Sequence, residues 1–212
     1  MLMYNTQIID SRDKIEKCPI FYINNAQWTC KCTPSAWGHL AYIPGDGLFV
    51  KMFCDETDPR RTVTAHGDKV IMDSVLEAFF AFPDERVPLD EEGRPGNDGL
   101  YINFEINANG ALYAKTGWGR QGRETLTEEE LEAASPSAWI DAEGWGVEFT
   151  IPDRLITRLI GINGFKPGDE FYCNFYKMSE NPEIEHYFTY NLIESEKPNF
   201  HLPRCFAKAV VV

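Results

Sequence analysis

The segment "YINFEINANGALYAK", residues 101–115, constrains the fold most, because its apolar residues recur with a period of two. Ile102, Phe104 and Ile106 fall on one face and Tyr101, Asn103, Glu105 and Asn107 on the other, which is the pattern of a half-buried strand. Asn109-Gly110 then supplies a hairpin turn. "KVIMDSVLEAFFAFP", residues 69–83, reads as a second strand, because β-branched and aromatic residues crowd it and Pro83 closes it. There Met72, Ser74, Leu76, Ala78, Phe80 and Phe82 share one side, and Asp73, Val75, Glu77 and Phe79 share the other.

Further strand-like runs surround these two. "HLAYIPGDGLFVKMFCDE" breaks at Pro44-Gly45-Asp46-Gly47 into a hairpin, with strands ending near Ile43 and restarting at Leu48. "GWGVEFTIP", "EFYCNFYKM", "HYFTYNL" and "RCFAKAVVV" add four more, and the chain before residue 39 reads as an irregular start. "DERVPLDEEGRPGNDG", residues 84–99, reads as a solvated loop. Helical patterns are confined to "TLTEEELEAAS", with Thr127 as N-cap, and to "PDRLITRLIG" before Gly161. Eight or nine strands without regular crossover helices predict one all-β domain over residues 1–212, an antiparallel β-sandwich with one or two short helices.

A formal charge of −13 and no Lys/Arg cluster oppose binding to a phosphate backbone, so no nucleic-acid partner is expected. No apolar run approaches the roughly 20 residues that cross a membrane. The N-terminus "MLMYNTQIID" lacks a basic region followed by an apolar stretch, so a cytoplasmic, monomeric protein is expected. Six cysteines in a chain of this length predict reduced, mostly buried thiols. Cys30 and Cys32 would share one side of a strand, but no second Cys or His pair has spacing suited to a zinc site.

The ordered set "MDSVLEAFF", "YINFEINANGALY", "GWGVEFTIP", "GDEFYCNFYKM", "EHYFTYNLI" and "KPNFHLPRCFAKAVV" resembles the family 9 carbohydrate-binding modules, nearest to their stand-alone branch, over roughly residues 40–212. The resemblance implies a β-sandwich that binds a mono- or oligosaccharide, two aromatic rings clasping the sugar, and in some members structural calcium. Glu77 matches the acidic strand position that bonds sugar hydroxyls, and Phe200 falls where one stacking tryptophan would stand. The other, expected just before the Asp-Ser pair, is absent, since Val70, Ile71 and Met72 fill that stretch.

Sugars offer flat C–H faces and rings of hydroxyls, so their sites combine an aromatic platform with carboxylates, amides and Arg. Asp73 and Glu77 on one strand with Asn103, Glu105 and Asn107 on another would form a polar sheet face if those strands lie close together, although antiparallel sheets often have one merely solvated side. Trp118, beside Arg120 and Arg123, is a candidate replacement platform, or else a ring folded onto the sandwich edge. His186 and His201 are candidate sugar donors, or residues satisfying backbone carbonyls. Two other functions use the same residues: glycoside processing by Glu77 and Glu105, and haem ligation by His186 or His201 together with a methionine.

Overall fold

The computed structural model describes residues 2–83 and 89–212, so residues 84–88 of the expected loop lie outside it. Fourteen strands form among the described residues: β1 (Met3–Ile8), β2 (Ile20–Tyr22), β3 (Asn25–Ala26), β4 (Ala36–Ile43), β5 (Gly47–Cys54), β6 (Val75–Ala81), β7 (Leu100–Asn107), β8 (Leu112–Trp118), β9 (Glu124–Thr125), β10 (Ser137–Ile140), β11 (Trp145–Pro152), β12 (Glu170–Ser179), β13 (His186–Thr189) and β14 (Ala207–Val211). Two α-helices, α1 (Glu128–Ala133) and α2 (Asp153–Ile160), occupy the expected positions. Thr127 closes a capping box on α1, its hydroxyl accepting from the Glu130 N–H while the Glu130 carboxylate accepts from the Thr127 N–H. Gly161 ends α2 with φ 74°.

One layer runs β9-β8-β7-β6-β12, with the far edge of β12 shared between β14 and β13; the other runs β10-β11-β5-β4. The predicted hairpins are present, β4 to β5 and β7 to β8. Gly47 is required in the first, because at φ 140° an added Cβ would lie 2.0 Å from the Ile151 carbonyl oxygen.

Two expectations are corrected at the N-terminus. The supposed irregular start contains β1, β2 and β3, and β1 pairs parallel with β14 through Met3–Thr6 and parallel with β4 through Gln7–Ile8. It thereby joins the two layers. Strand direction in a hairpin is dictated by its turn, but β1 pairs with β14 and β4, to neither of which a hairpin turn joins it, so local pattern could not reveal its direction.

Between the layers, Leu76, Ala78 and Phe80 of β6, Ile102, Phe104 and Ile106 of β7, and Phe171 and Phe175 of β12 pack against Leu48, Val50 and Met52 of β5 and Val147, Phe149 and Ile151 of β11. Each buried Phe, Leu or Ile contributes about 1.5–3 kcal/mol. Phe21 stacks on Phe175 with centroids 3.6 Å apart, and Phe104 on Phe149 at 5.0 Å.

The opposite face of the first layer is not the wet face considered for it. Val75, Phe79, Tyr101, Tyr172, Tyr176 and Met178 are buried beneath the segment 190–206, which contributes Ile193, Phe200, Cys205 and Phe206. Side-chain hydrogen bonds hold that cover down: the Asn174 amide donates to the Asn191 carbonyl, the Asn191 amide to the Cys205 carbonyl, and the Tyr176 hydroxyl to the Phe200 carbonyl. All six cysteines are free thiols, and four are buried. Cys30 and Cys32 are not in a strand. No described helix is long and apolar enough to cross a membrane.

Candidate functional site

Where the 190–206 cover stops short, it leaves a groove over the β6–β7 strand pair. Glu77 and Glu105 stand directly opposite each other across that pair and so share one face. Its walls come from Ile71, Met178, Glu180 and Tyr187 together with Arg120, Pro198, Asn199, Phe200 and His201. The cavity measures about 70 Å3. That is well below the roughly 300–1,000 Å3 of pockets that enclose a whole ligand, so it is sized to grip one edge of a molecule.

Five of the eight predicted residues, Glu77, Glu105, Arg120, Phe200 and His201, meet in this groove. A sixth, Asn103, stands behind it: its amide donates to Glu105 Oε1 at 2.8 Å, and its carbonyl oxygen accepts from Arg123 Nη1. Arg123 also lies over the Tyr101 ring, 5.2 Å from the centroid. Arg120 donates to Asn199 Oδ1 at 3.1 Å.

Electrostatics set the protonation of the floor. Glu77 is 2% exposed and Glu105 5%. Burial, then the Glu105 and Glu180 charges, drive the Glu77 carboxyl well above the usual carboxylate range. Burial likewise lifts Glu105 to about 7, with Arg123 and the Asn103 amide opposing it. Glu105 Oε2 is buried and has no hydrogen-bond partner. His201 is held neutral, its pKa lowered to about 3 by burial and then by Arg123 and Arg120, with Nδ1 3.0 Å from the Tyr101 hydroxyl. The floor thus presents both donors and acceptors to a polyhydroxylated ligand.

Phe200 is placed differently from a free platform. Only 7% exposed, it stacks on Tyr176 with centroids 4.0 Å apart and rings 11° from parallel, leaving an edge to the groove. Trp28 lies 5.7 Å from Phe200 and 5.6 Å from Tyr187, partly exposed and held at φ 53°, a backbone conformation rare for a bulky residue. Sequence reasoning gave Trp28 no role. It also missed Glu180, Asn199 and Tyr187, although all three lie inside or beside the quoted runs, because a strand pattern does not tell which loop closes over which strand.

Two predicted residues lie elsewhere. Trp118, 37% exposed, ends β8 beside Leu100, Gly122, Glu124 and Arg158, away from the groove. It does not line this groove. His186 is fully buried on the other side of the layer, with Nε2 2.7 Å from Lys177 Nζ and Nδ1 2.6 Å from the Ile184 carbonyl oxygen and 3.1 Å from Cys32 Sγ. Both its nitrogens have partners, and His201 lies on the opposite face of the layer. Glu77 and Glu105, the pair considered for glycoside cleavage, are cross-strand neighbours on one sheet face.

Asp73 lies outside the strand predicted to carry it. It precedes β6, and its buried carboxylate accepts from the backbone N–H groups of Thr62 and Val63, the Thr62 hydroxyl and the Asn107 amide. Burial opposes ionisation there, but these hydrogen bonds win and keep the carboxyl below the usual range. Asp73 is a loop anchor.

Among the described residues, Cys32, Glu56 and His186 form the group whose donor atoms lie close enough to share a metal. One sulfur, one nitrogen and one oxygen do not fit calcium, which takes six to eight oxygens. Lys177 Nζ already lies among them, 3.1 Å from Glu56 Oε2.

The model of carbohydrate-binding family 9 matches residues 5–211, extending the resemblance back through β1. Among solved structures, a candidate carbohydrate-binding protein from Bacteroides uniformis superposes with a TM-score of 0.81 at 18% identity, over 100% of this chain and 99% of that one. A family 9 module from Caldicellulosiruptor kristjanssonii in complex with cellotriose gives 0.61 at 11% identity over 99% and 93%, and with glucose 0.60 at 12% over 100% and 94%. No curated protein matches the chain. With nearly its whole length matched by that one family model, the chain belongs to carbohydrate-binding family 9.

Proposed function

We propose that the protein binds a saccharide without cleaving it, holding one edge of a terminal sugar unit in the groove over β6 and β7. The observation that carries this reading is the convergence of Glu77, Glu105, Arg120 and His201 beside the rings of Phe200 and Tyr187, in a chain of a carbohydrate-binding family. Glu77, protonated, serves as donor and acceptor to a hydroxyl; Glu105 accepts; Arg120 donates from the rim; Phe200 and Tyr187 meet the C–H edge of the ring. The related modules that hold cellotriose and glucose make β-linked glucose units a reasonable first panel.

Calorimetry with glucose and cellotriose, on wild type and on Glu77→Gln, tests the reading. Binding that weakens in a folded Glu77→Gln protein supports it. Absence of heat with any mono- or oligosaccharide at millimolar concentration, with the protein folded, overturns it.

A further inference from the structure

The groove has more acceptor capacity than a neutral sugar requires. Glu105 Oε2 is buried with no hydrogen-bond partner, an arrangement that costs stability unless a donor arrives. Glu77 faces it directly across the strand pair, and Glu180 stands at the mouth, where its N–H is fixed to the Ile71 carbonyl. Three carboxyl groups therefore converge on a cavity of about 70 Å3.

The nearby cations act on them only at a distance, Arg123 favouring the ionised form of both Glu77 and Glu105 without touching either. Among the described residues, no ion pair reaches Glu77, Glu105 or Glu180. Arg120 is bonded to Asn199, Arg123 is bonded to Asn103 and lies over Tyr101, and Lys115 lies over Tyr113. Lys177 points to the other side of its strand, into its pair with Glu56. His201 is neutral. A hydroxyl would give Glu105 one hydrogen bond, whereas an ammonium brings three donors and a compensating charge.

We propose that the groove prefers a saccharide unit bearing a protonated amine, a 2-amino sugar, with its ammonium between Glu105 and Glu77 and Glu180 beside it at the mouth. This deepens the saccharide reading above and rests on it. The small cavity takes the amine-bearing edge, while the rest of the ring lies against Phe200 and Tyr187.

Calorimetry at pH 7 with glucosamine, glucose, N-acetylglucosamine and ethanolamine separates the possibilities, since acetylation removes the charge and ethanolamine lacks the ring. Expected is glucosamine binding at least about tenfold tighter than the other three, equivalent to about 1.4 kcal/mol. The preference should be lost in Glu105→Gln and reduced in Glu180→Gln, whose exposed position keeps the test valid if the buried variant does not fold. Glucose binding as tightly as glucosamine overturns the amine preference and leaves saccharide binding intact. Ethanolamine matching glucosamine also overturns it, by showing an amine site indifferent to sugar. A preference unchanged in folded Glu105→Gln and Glu180→Gln proteins overturns its placement. No binding of any sugar overturns both readings.

Discussion

Replacing Lys177 with Met probes the buried polar network that the fold builds behind the groove. Lys177 is fully buried, with Nζ 3.1 Å from Glu56 Oε2, 2.7 Å from Ser74 Oγ and 2.7 Å from His186 Nε2. Glu56 Oε2 also accepts from the Ser74 hydroxyl and, at 3.1 Å, from Trp145 Nε1. Burial alone would raise the Glu56 carboxyl; Lys177, then Ser74 and Trp145, reverse that and bring it from the ordinary 4.5 to about 2. Such a drop corresponds to about 3 kcal/mol of native-state stability. Met preserves the apolar stem but leaves Glu56 charged and unpaired, which costs about 3–5 kcal/mol when one partner of a buried pair is removed. For a domain of this size that is a fall in Tm of roughly 6–20 °C at pH 7. Protonating Glu56 relieves the orphaned charge, so the gap between variant and wild type should narrow as pH falls from 7 to 4. The double variant Lys177→Met/Glu56→Gln should recover part of the loss. Calorimetric melts of the three proteins at both pH values provide the assay. A Lys177→Met protein that melts within 2 °C of wild type at pH 7, by the same scaling, or a gap that widens on acidification, would refute the reasoning.

Phe200→Ala should lower stability by about 3 kcal/mol, because the ring is buried against Tyr176, and should weaken sugar binding as well; a variant with unchanged Tm would show the ring to be a free platform. Asp73→Asn should destabilise by about 1–3 kcal/mol in a thermal melt, since the carboxylate accepts from four donor groups; a neutral effect would remove it as an anchor. Trp118→Ala should leave sugar affinity within about a factor of two by calorimetry, a change below about 0.5 kcal/mol. Stability against pH follows from opposed shifts. Glu105, raised to about 7, stabilises fully below 4.5 and loses that contribution as pH rises through 7, and Glu77 acts in the same sense. His186, lowered to about 4 by burial and then Lys177, and Glu56, lowered to about 2, contribute fully above 6.5 and 4.5 and lose it as pH falls through 4 and 2. The Tm should rise between pH 7 and about 5, where two carboxyls gain and one histidine loses, and fall below about 4; a steady decline from pH 7 downward would contradict these assignments.

Local pattern made most of the sandwich readable. The period of two in residues 101–107 correctly sorted Ile102, Phe104 and Ile106 from Tyr101, Asn103 and Glu105, and the same alternation put Leu76, Ala78 and Phe80 in the core and Glu77 with Phe79 on the other face. Turn residues located both hairpins. What periodicity could not convey was the long-range cover. The same alternation fits a wet face and a face roofed by a distant segment, and only the docking of residues 190–206 decides between them. Asp73 was misplaced for a related reason: pattern reading extended β6 through a residue that in fact ties a loop to Thr62 and Val63. His186 reads from the sequence as a sugar donor or as a residue satisfying a backbone carbonyl, and its contact with the Ile184 carbonyl fits the second; its other partner, Lys177, a residue type seldom fully buried, gives no sequence sign of turning inward. Trp118 illustrates the limit of residue type alone, since an aromatic ring between glycines beside two arginines has the composition of a sugar platform but lies outside the groove over β6 and β7.

The most direct test is an amide NMR titration of isotopically labelled protein with glucose, cellotriose and glucosamine. Saccharide held over the β6–β7 pair predicts saturable shifts at Glu77, Glu105, Glu180, Asn199 and His201, with Trp118, Thr127 and Lys208 unmoved. Shifts centred on Trp118, or no shift with any of the three sugars, would contradict it.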